Sequence, residues 1–191
     1  MPQTARISSD GAAKLPAFTS AALPPIDDMK ARRRVFIDGN DLPRRFSARH
    51  KPPFCIAEIG FANGLNFLLT WQTWLAHKRP GDRLHYIGID AQPLRAANLK
   101  QALAPWPALS SLADQLITAW PAATPGCHRL NWPEQGLILD LWWEVPEAAL
   151  NDLASRQARH VDAWFWHDFA SVTNPAPKSA NIYQVAAGLS R

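Results

Sequence analysis

Apolar positions along the chain fall into two regimes that change near residue 53. From Pro53 onward, short apolar runs alternate with stretches whose apolar residues recur every three or four positions, which predicts a parallel α/β sheet with crossover helices. Phe54-Cys55-Ile56-Ala57 is an apolar run ending in Glu58-Ile59-Gly60, and Gly64 to about Lys78 carries Leu65, Leu68, Leu69 and Leu75 at helical spacing. Phe67, Trp71 and Trp74 widen that stripe, so this helix is expected to be buried on more than one side before Pro80-Gly81 stops it. Leu84 to Ile89 reads as a second strand ending at Asp90, with Pro93 placed to open the next helix. Leu109, Leu112, Ala113, Leu116 and Trp120 predict a helix bracketed by Pro107 and Pro121. His128, Leu130 and Trp132 alternate, Pro133-Glu134-Gln135-Gly136 turns, and Leu137 to Trp143 alternates again, which predicts a β-hairpin. Ala148 to Arg159 suits a helix, Val161 to Trp166 a strand covered on both faces, and Ile182, Val185, Ala186 and Leu189 a last amphipathic helix.

The first regime is different. Residues 1–25 are rich in Ala, Pro and Ser with no apolar period and read as a disordered lead. Lys30-Ala31-Arg32-Arg33-Arg34 follows, then a strand-like Val35-Phe36-Ile37, an Asp38-Gly39 turn signal, and Arg44-Arg45. Residues 1–50 are therefore expected to form a basic, partly disordered arm, mostly loop, folded back onto a domain spanning 51–191. Residues 1–51 hold ten Lys or Arg and five Asp or Glu, a net charge of +5, while the remaining 140 carry −1. Positive charge gathered at one end suits a polyanion such as RNA, through phosphate neutralisation and counterion release, with Arg32, Arg33, Arg34, Arg44 and Arg45 as the candidate contacts; a solvated tail is the plain alternative.

Composition narrows the class. Of 191 residues, 47% are apolar, enough for a sizeable core, and no apolar run approaches the roughly 20 residues of a membrane helix. Cys55 and Cys127 stand far apart without metal-ligand spacing, so both are expected to be buried free thiols in a reducing, cytoplasmic setting. Most of the nine tryptophans, Trp71, Trp74, Trp106, Trp120, Trp142, Trp143, Trp164 and Trp166 among them, fall on predicted core faces or element ends and are expected to pack rather than to stack on bases.

Open α/β sheets bind ligands at the carboxyl ends of their strands. The groups that fall there are Glu58-x-Gly60, Asp90, Glu144 and His167-Asp168. Gly60-Phe61-Ala62-Asn63-Gly64 joins a strand to a helix with glycines at both ends, and Asp90 lies 26 residues beyond Gly64, near the place where an acid accepts ribose hydroxyls. A dinucleotide needs Gly-x-Gly-x-x-Gly to seat its pyrophosphate. Glu58 would repel that pyrophosphate but suits the ammonium of a methionine moiety, so the pattern favours S-adenosylmethionine over NAD.

Several blocks in order carry a resemblance over roughly residues 35–175. Ala57-Glu58-Ile59-Gly60-Phe61-Ala62-Asn63-Gly64-Leu65-Asn66-Phe67, Trp120-Pro121 through Leu130, Leu139-Asp140-Leu141-Trp142 and Asp162-Ala163-Trp164-Phe165 resemble the methyltransferase domain of the bifunctional enzymes that complete 5-methylaminomethyl-2-thiouridine in tRNA. Val35-Phe36-Ile37-Asp38-Gly39-Asn40-Asp41-Leu42-Pro43-Arg44-Arg45-Phe46 is similar to that family's N-terminal segment. The resemblance implies a Rossmann-like class I methyltransferase sheet, S-adenosylmethionine as cofactor, and methyl transfer to the aminomethyl nitrogen of a wobble uridine in tRNA. It also implies donor contacts from Glu58, Gly60, Phe61, Ala62, Asn63, Gly64, Asn66, Asp90 and Glu144. The flavin-dependent domain of the bifunctional members has no counterpart in these residues, so no FAD is expected.

The family sheet has seven strands in the order 3-2-1-4-5-7-6, so by resemblance the sheet expected here is C-terminally incomplete and lacks the last strands. Trp164, Phe165 and Trp166 are then expected on an exposed edge, and strand 161–167 becomes a place for a partner or for self-association. Ala62-Asn63 stands where the family reads Gly-Thr, Glu144-Val145 where it reads Gly-Asp, and Trp166-His167-Asp168-Phe169-Ala170-Ser171 where it reads Leu-Asp-Gly-Phe-Ala-Pro. His167, whose type titrates near neutrality, is the candidate base; Asp168 follows it, and Phe169 is the candidate stacking surface for a flipped-out uridine. Two readings stay open: a tRNA N-methyltransferase, or a noncatalytic tRNA- or nucleoside-binding module that kept the fold.

Overall fold

The computed structural model describes residues 29–48, 53–156, 161–166 and 180–190. The lead over residues 1–25, expected to be disordered, and the candidates His167, Asp168 and Phe169 lie outside the described residues. Five strands form one mixed sheet: β1 (Phe54–Ile59), β2 (Leu84–Ile89), β3 (Gly126–Trp132), β4 (Leu137–Trp143) and β5 (Ala163–Trp166), in the order β3-β4-β2-β1-β5. Strands β4, β2, β1 and β5 run parallel, and β3 closes the far edge as the antiparallel partner of β4. This is the Rossmann-like arrangement the alternating pattern predicts. Consecutive apolar residues in β1 reflect burial on both faces, since all six of its residues are buried.

The first helix to follow, α3 (Leu65–His77), comes after two short helices in the arm, α1 (Met29–Arg32) and α2 (Leu42–Ser47). Between the two, residues Arg33–Asp38 form a π-helical turn. The described part of the arm, residues 29–48, is thus mostly helical rather than loop, and Val35-Phe36-Ile37 is not a strand. The reason is packing: the turn buries Phe36 and Ile37, and α2 buries Leu42 and Phe46, so the apolar residues fit one side of a coil against α3 and β1. Phe46 meets Trp74 and Phe54 edge-on at 5.1 and 5.2 Å.

Helices α4 (Ala96–Leu103) and α5 (Ser110–Ala119) join α3 and the arm on one face of the sheet, while α6 (Pro146–Ser155) and α7 (Ala180–Leu189) cover the other. Helix α4 starts at Ala96 with Arg95 as its cap, so Pro93 sits in the preceding loop and does not open it. It is Pro146 that occupies a first helical position, two residues before the predicted start of α6. Residues Leu65 to Trp71 of α3 are all buried, as its wide stripe implies, although Leu75 is on the solvent side. The hairpin turn is tied beneath this helix: Trp71 Nε1 donates to Gln135 Oε1 and Trp74 Nε1 to the Gln135 carbonyl at 2.9 Å. Trp106, Trp120, Trp164 and Trp166 are half-buried. Cys127 is exposed, contrary to expectation, because it lies on the edge strand β3; Cys55 is buried.

On β5 the exposed-edge expectation needs correcting in part. Among the described residues β5 bonds to β1 alone, yet Phe165 is buried, Trp166 stacks on Tyr183 of α7 at 5.0 Å, and Trp164 Nε1 donates to Ser190 Oγ. The α7 end of the chain therefore partly covers Trp164 and Trp166, while Phe36 of the arm and Tyr86 cover Phe165 on the opposite face. No described helix is long and apolar enough to cross a membrane.

The uncovered part of the sheet carries a charged cluster that the pattern did not announce. Asp140 on β4 accepts two bonds of 2.7 Å from Arg129 on β3 and one of 2.8 Å from His85 Nε2 on β2. Burial works to raise the Asp140 pKa, but the bonds from Arg129 and His85 outweigh it and hold the carboxyl at about 2, below its ordinary 3.8. A folded-state value below the unfolded one stabilises the protein above the unfolded pKa and loses that stabilisation as pH falls through the folded one. The Asp140 side chain is 7% exposed but its partner Arg129 is 63% exposed, so solvent screens part of the pair, and the contribution is about 1 kcal/mol. Denaturant unfolding is expected to show Asp140→Asn less stable than the parent at neutral pH, with the gap closing as pH drops from about 4 to about 2. A gap independent of pH would mean that the ion pair contributes nothing.

Candidate functional site

The turn after β1 is set by backbone geometry. Gly60 and Gly64 have φ of 89° and 70°, and between them Ala62 adopts φ 51°. Glycine takes this left-handed region without penalty, whereas Ala62 does so at a cost of roughly 1–2 kcal/mol. Two contacts hold the strained turn. Asp90 Oδ2 accepts the Ala62 N–H at 2.7 Å, and the Gly60 and Phe61 N–H groups donate to the Ile89 carbonyl at 2.8 and 3.2 Å. Asn63 Oδ1 accepts the Leu65 N–H at 3.2 Å, satisfying one of the open donors at the start of α3.

The next strand ends stand alongside. Asp90 Oδ1 accepts the Gln92 N–H at 2.8 Å, and the Asp90 carbonyl accepts the Glu144 N–H at 3.1 Å, so the ends of β1, β2 and β4 are laced together. Just before Glu144, the indole N–H groups of Trp142 and Trp143 are buried without a hydrogen-bond partner among the described residues. On the other side, Ile59 pairs with Trp166, bringing the end of β5 beside the loop.

Beneath the loop lies a buried polar network. Glu58 is 1% exposed; its Oε1 accepts from Asn66 Nδ2 at 2.8 Å and its Oε2 from the Tyr86 hydroxyl at 2.7 Å. Burial first, and then the neighbouring Glu58 charge, push the Tyr86 pKa well above its usual value, so the phenol stays protonated and donates. Arg32 of the arm donates from Nη1 to Asn66 Oδ1 at 3.3 Å.

The structure thus gathers Glu58, Gly60, Ala62, Asn63, Gly64, Asn66, Asp90 and Glu144 at the carboxyl ends of adjoining strands. Phe61 belongs to the loop but its ring is buried, seated above Gly88 of β2 and against Phe67, Tyr86 and Trp120. The five arginines do not form one surface. Arg32 turns in to Asn66, and Arg45 donates to the Asp162 carbonyl at 2.8 Å and lies over the Phe54 ring. Arg44 pairs with Asp41 on the outside, Arg34 is exposed, and Arg33 is half-buried. Tyr86 and Gly88 escaped the sequence reading because both sit inside an apolar strand; the glycine within that strand was the available signal.

The residues present suit an S-adenosylmethionine molecule. A left-handed loop admits close approach of a ligand, Asp90 keeps lone pairs beyond the two it uses, and buried indole donors stand at the same end of the sheet. A matching likeness to known proteins lies further along, in a stretch that begins after this loop and runs from α5 through α7: residues 107–191 match the family of S-adenosyl-L-methionine-dependent methyltransferases.

Proposed function

We propose that the chain is an S-adenosylmethionine-dependent N-methyltransferase acting on the aminomethyl group of wobble 5-aminomethyl-2-thiouridine in tRNA. The observation that carries the donor half is the meeting of the 60–64 loop, Asp90 and Glu144 at adjoining strand ends, which lies partly outside the matched residues and so supports the reading independently. The acceptor half is supported by the resemblance of the Val35 to Phe46 segment and by the basic arm, where Arg34 and Arg44 face solvent and suit phosphates.

Bound S-adenosylmethionine supplies a methyl group activated by its sulfonium charge. Asp90 is proposed to take the ribose hydroxyls, and Glu58, under the loop, to favour the ammonium through its negative field. Glu144 is proposed to stand beside the adenine. An amine attacks only with a free lone pair, so the protein must also accept a proton from the aminomethyl nitrogen. His167 is proposed for that step through an imidazole nitrogen, with Asp168 as its neighbour and Phe169 stacking on the uridine; the pairing of Ile59 with Trp166, the residue before His167, supports this reading.

The test is incubation with S-adenosylmethionine and tRNA carrying the unmethylated amine, followed by mass spectrometry of the nucleosides. A methylated nucleoside is expected. Its absence beside an active enzyme of the same kind would remove catalysis, and tRNA binding in that case would leave the noncatalytic module.

A further inference from the structure

Asn66 occupies a position with two opposite neighbours. Its amide nitrogen donates to the Glu58 carboxylate, and its amide oxygen accepts from the Arg32 guanidinium. An asparagine amide is nearly symmetric in shape and can turn over, presenting oxygen to where nitrogen was. Turned over here, it would set Oδ1 against the Glu58 carboxylate. A cation on the oxygen side favours the same orientation, so Arg32 reinforces the amide placement that the Glu58 carboxylate requires and holds Asn66 from its other side. The consequence extends to the loop, because Asn66 is two residues after Gly64 in the first turn of α3 and its carbonyl also accepts from Thr70 Oγ1 at 2.8 Å.

Arg32 is itself fixed by the arm. It stands at the junction where α1 passes into the π-helical turn, a conformation rare enough to accompany functional positions. The same turn drives Phe36 onto Phe165 of β5 at 5.1 Å, and Arg45 ties the following helix to the segment just before β5. The arm therefore packs against β5, the segment before it and the start of β1.

We propose that Arg32 is a positioning residue of the donor loop, so that docking of the N-terminal arm and binding of the methyl donor are coupled through Asn66 and Glu58. The coupling rests on the donor site described under Proposed function. By linkage, a donor that prefers the ordered loop also tightens the arm.

The experiment compares the full-length protein with Arg32→Met and Arg32→Lys by titration calorimetry with S-adenosylmethionine and by amide hydrogen exchange. Donor affinity is expected to fall about tenfold in Arg32→Met and to return largely in Arg32→Lys, the size typical of coupled sites. In the parent, donor is expected to slow exchange in residues 33–38, and in Arg32→Met it is not. Parental affinity in Arg32→Met, or no donor effect on the arm of the parent, overturns the coupling. If Arg32→Met fails to fold, Arg32→Gln takes its place with the same expected fall in affinity and loss of donor-dependent arm protection, and parental values of both in Arg32→Gln overturn the coupling. Should the parent bind no donor, the donor reading itself falls, and the ligand-free proteins decide the rest. Faster exchange at residues 64–70 in Arg32→Met, with α5 unchanged, supports the link from arm to loop, and equal exchange overturns it.

Discussion

Gly88→Ala is expected to destabilise the fold by about 3 kcal/mol, a loss of roughly 10 °C in Tm for a protein of this size. A Cβ at Gly88 would lie 2.2 Å from Phe61 Cδ2 and 2.9 Å from Cγ and Cε2. Those atoms belong to the body of the ring, not to a flexible tip, so they can yield only if the whole side chain moves. Phe61 has nowhere to go: it is 2% exposed and enclosed by Phe67, Tyr86 and Trp120, with Gly64 closing the fourth side. The clash must be relieved through the backbone, and the backbone on either side of Phe61 is Gly60 and Ala62 of the loop proposed to hold the donor. The substitution is thus expected to weaken donor binding as well as stability, although residue 88 touches no donor. Combining it with Phe61→Leu is expected to recover part of the loss, since the smaller side chain makes room. Thermal unfolding of the two single variants and the double variant decides the point. Strict additivity would show that ring and glycine do not compete for the same space.

How much of this was legible follows from what sequence patterns encode. Burial on both faces marks β1 and β2 as continuous apolar runs, and turn chemistry at Pro133 to Gly136 marks the hairpin, so the sheet and the strand-end position of Glu58, Asp90 and Glu144 could be read directly. A short arm is different, because Val35-Phe36-Ile37 is equally apolar as strand or as coil, and only the surface of α3 and β5 beneath it selects the π-helical turn. Charge count likewise gave the arm its sign but not its use. Arg32 and Arg45 lie among five arginines of similar context, yet they face inward to Asn66 and the Asp162 carbonyl while Arg34 and Arg44 face water. Pairing across β2, β3 and β4 joins His85, Arg129 and Asp140, which are far apart in the sequence and follow no local motif.

Asp90→Ala is expected to weaken S-adenosylmethionine binding by about 100-fold while costing the fold only about 1 kcal/mol. The two effects separate because of where the carboxylate's partners lie. Ala62 and Gln92 are exposed, so water can take over the N–H groups that Asp90 releases, and no buried donor is stranded. The loop, however, loses the bond that holds Ala62 in its left-handed conformation, which a residue with a Cβ leaves readily once the restraint is gone. Donor binding is then expected to suffer twice: the acceptor proposed for the ribose hydroxyls is missing, and the loop must be reordered at the expense of binding energy. Adding Ala62→Gly to Asp90→Ala separates these contributions, since glycine holds the same φ without strain and is expected to restore the ordering part alone. Calorimetric titration beside thermal unfolding measures both quantities. Parental affinity in Asp90→Ala would show that the end of β2 plays no part in holding the donor, and a large stability loss without change in affinity would make Asp90 a structural clamp only.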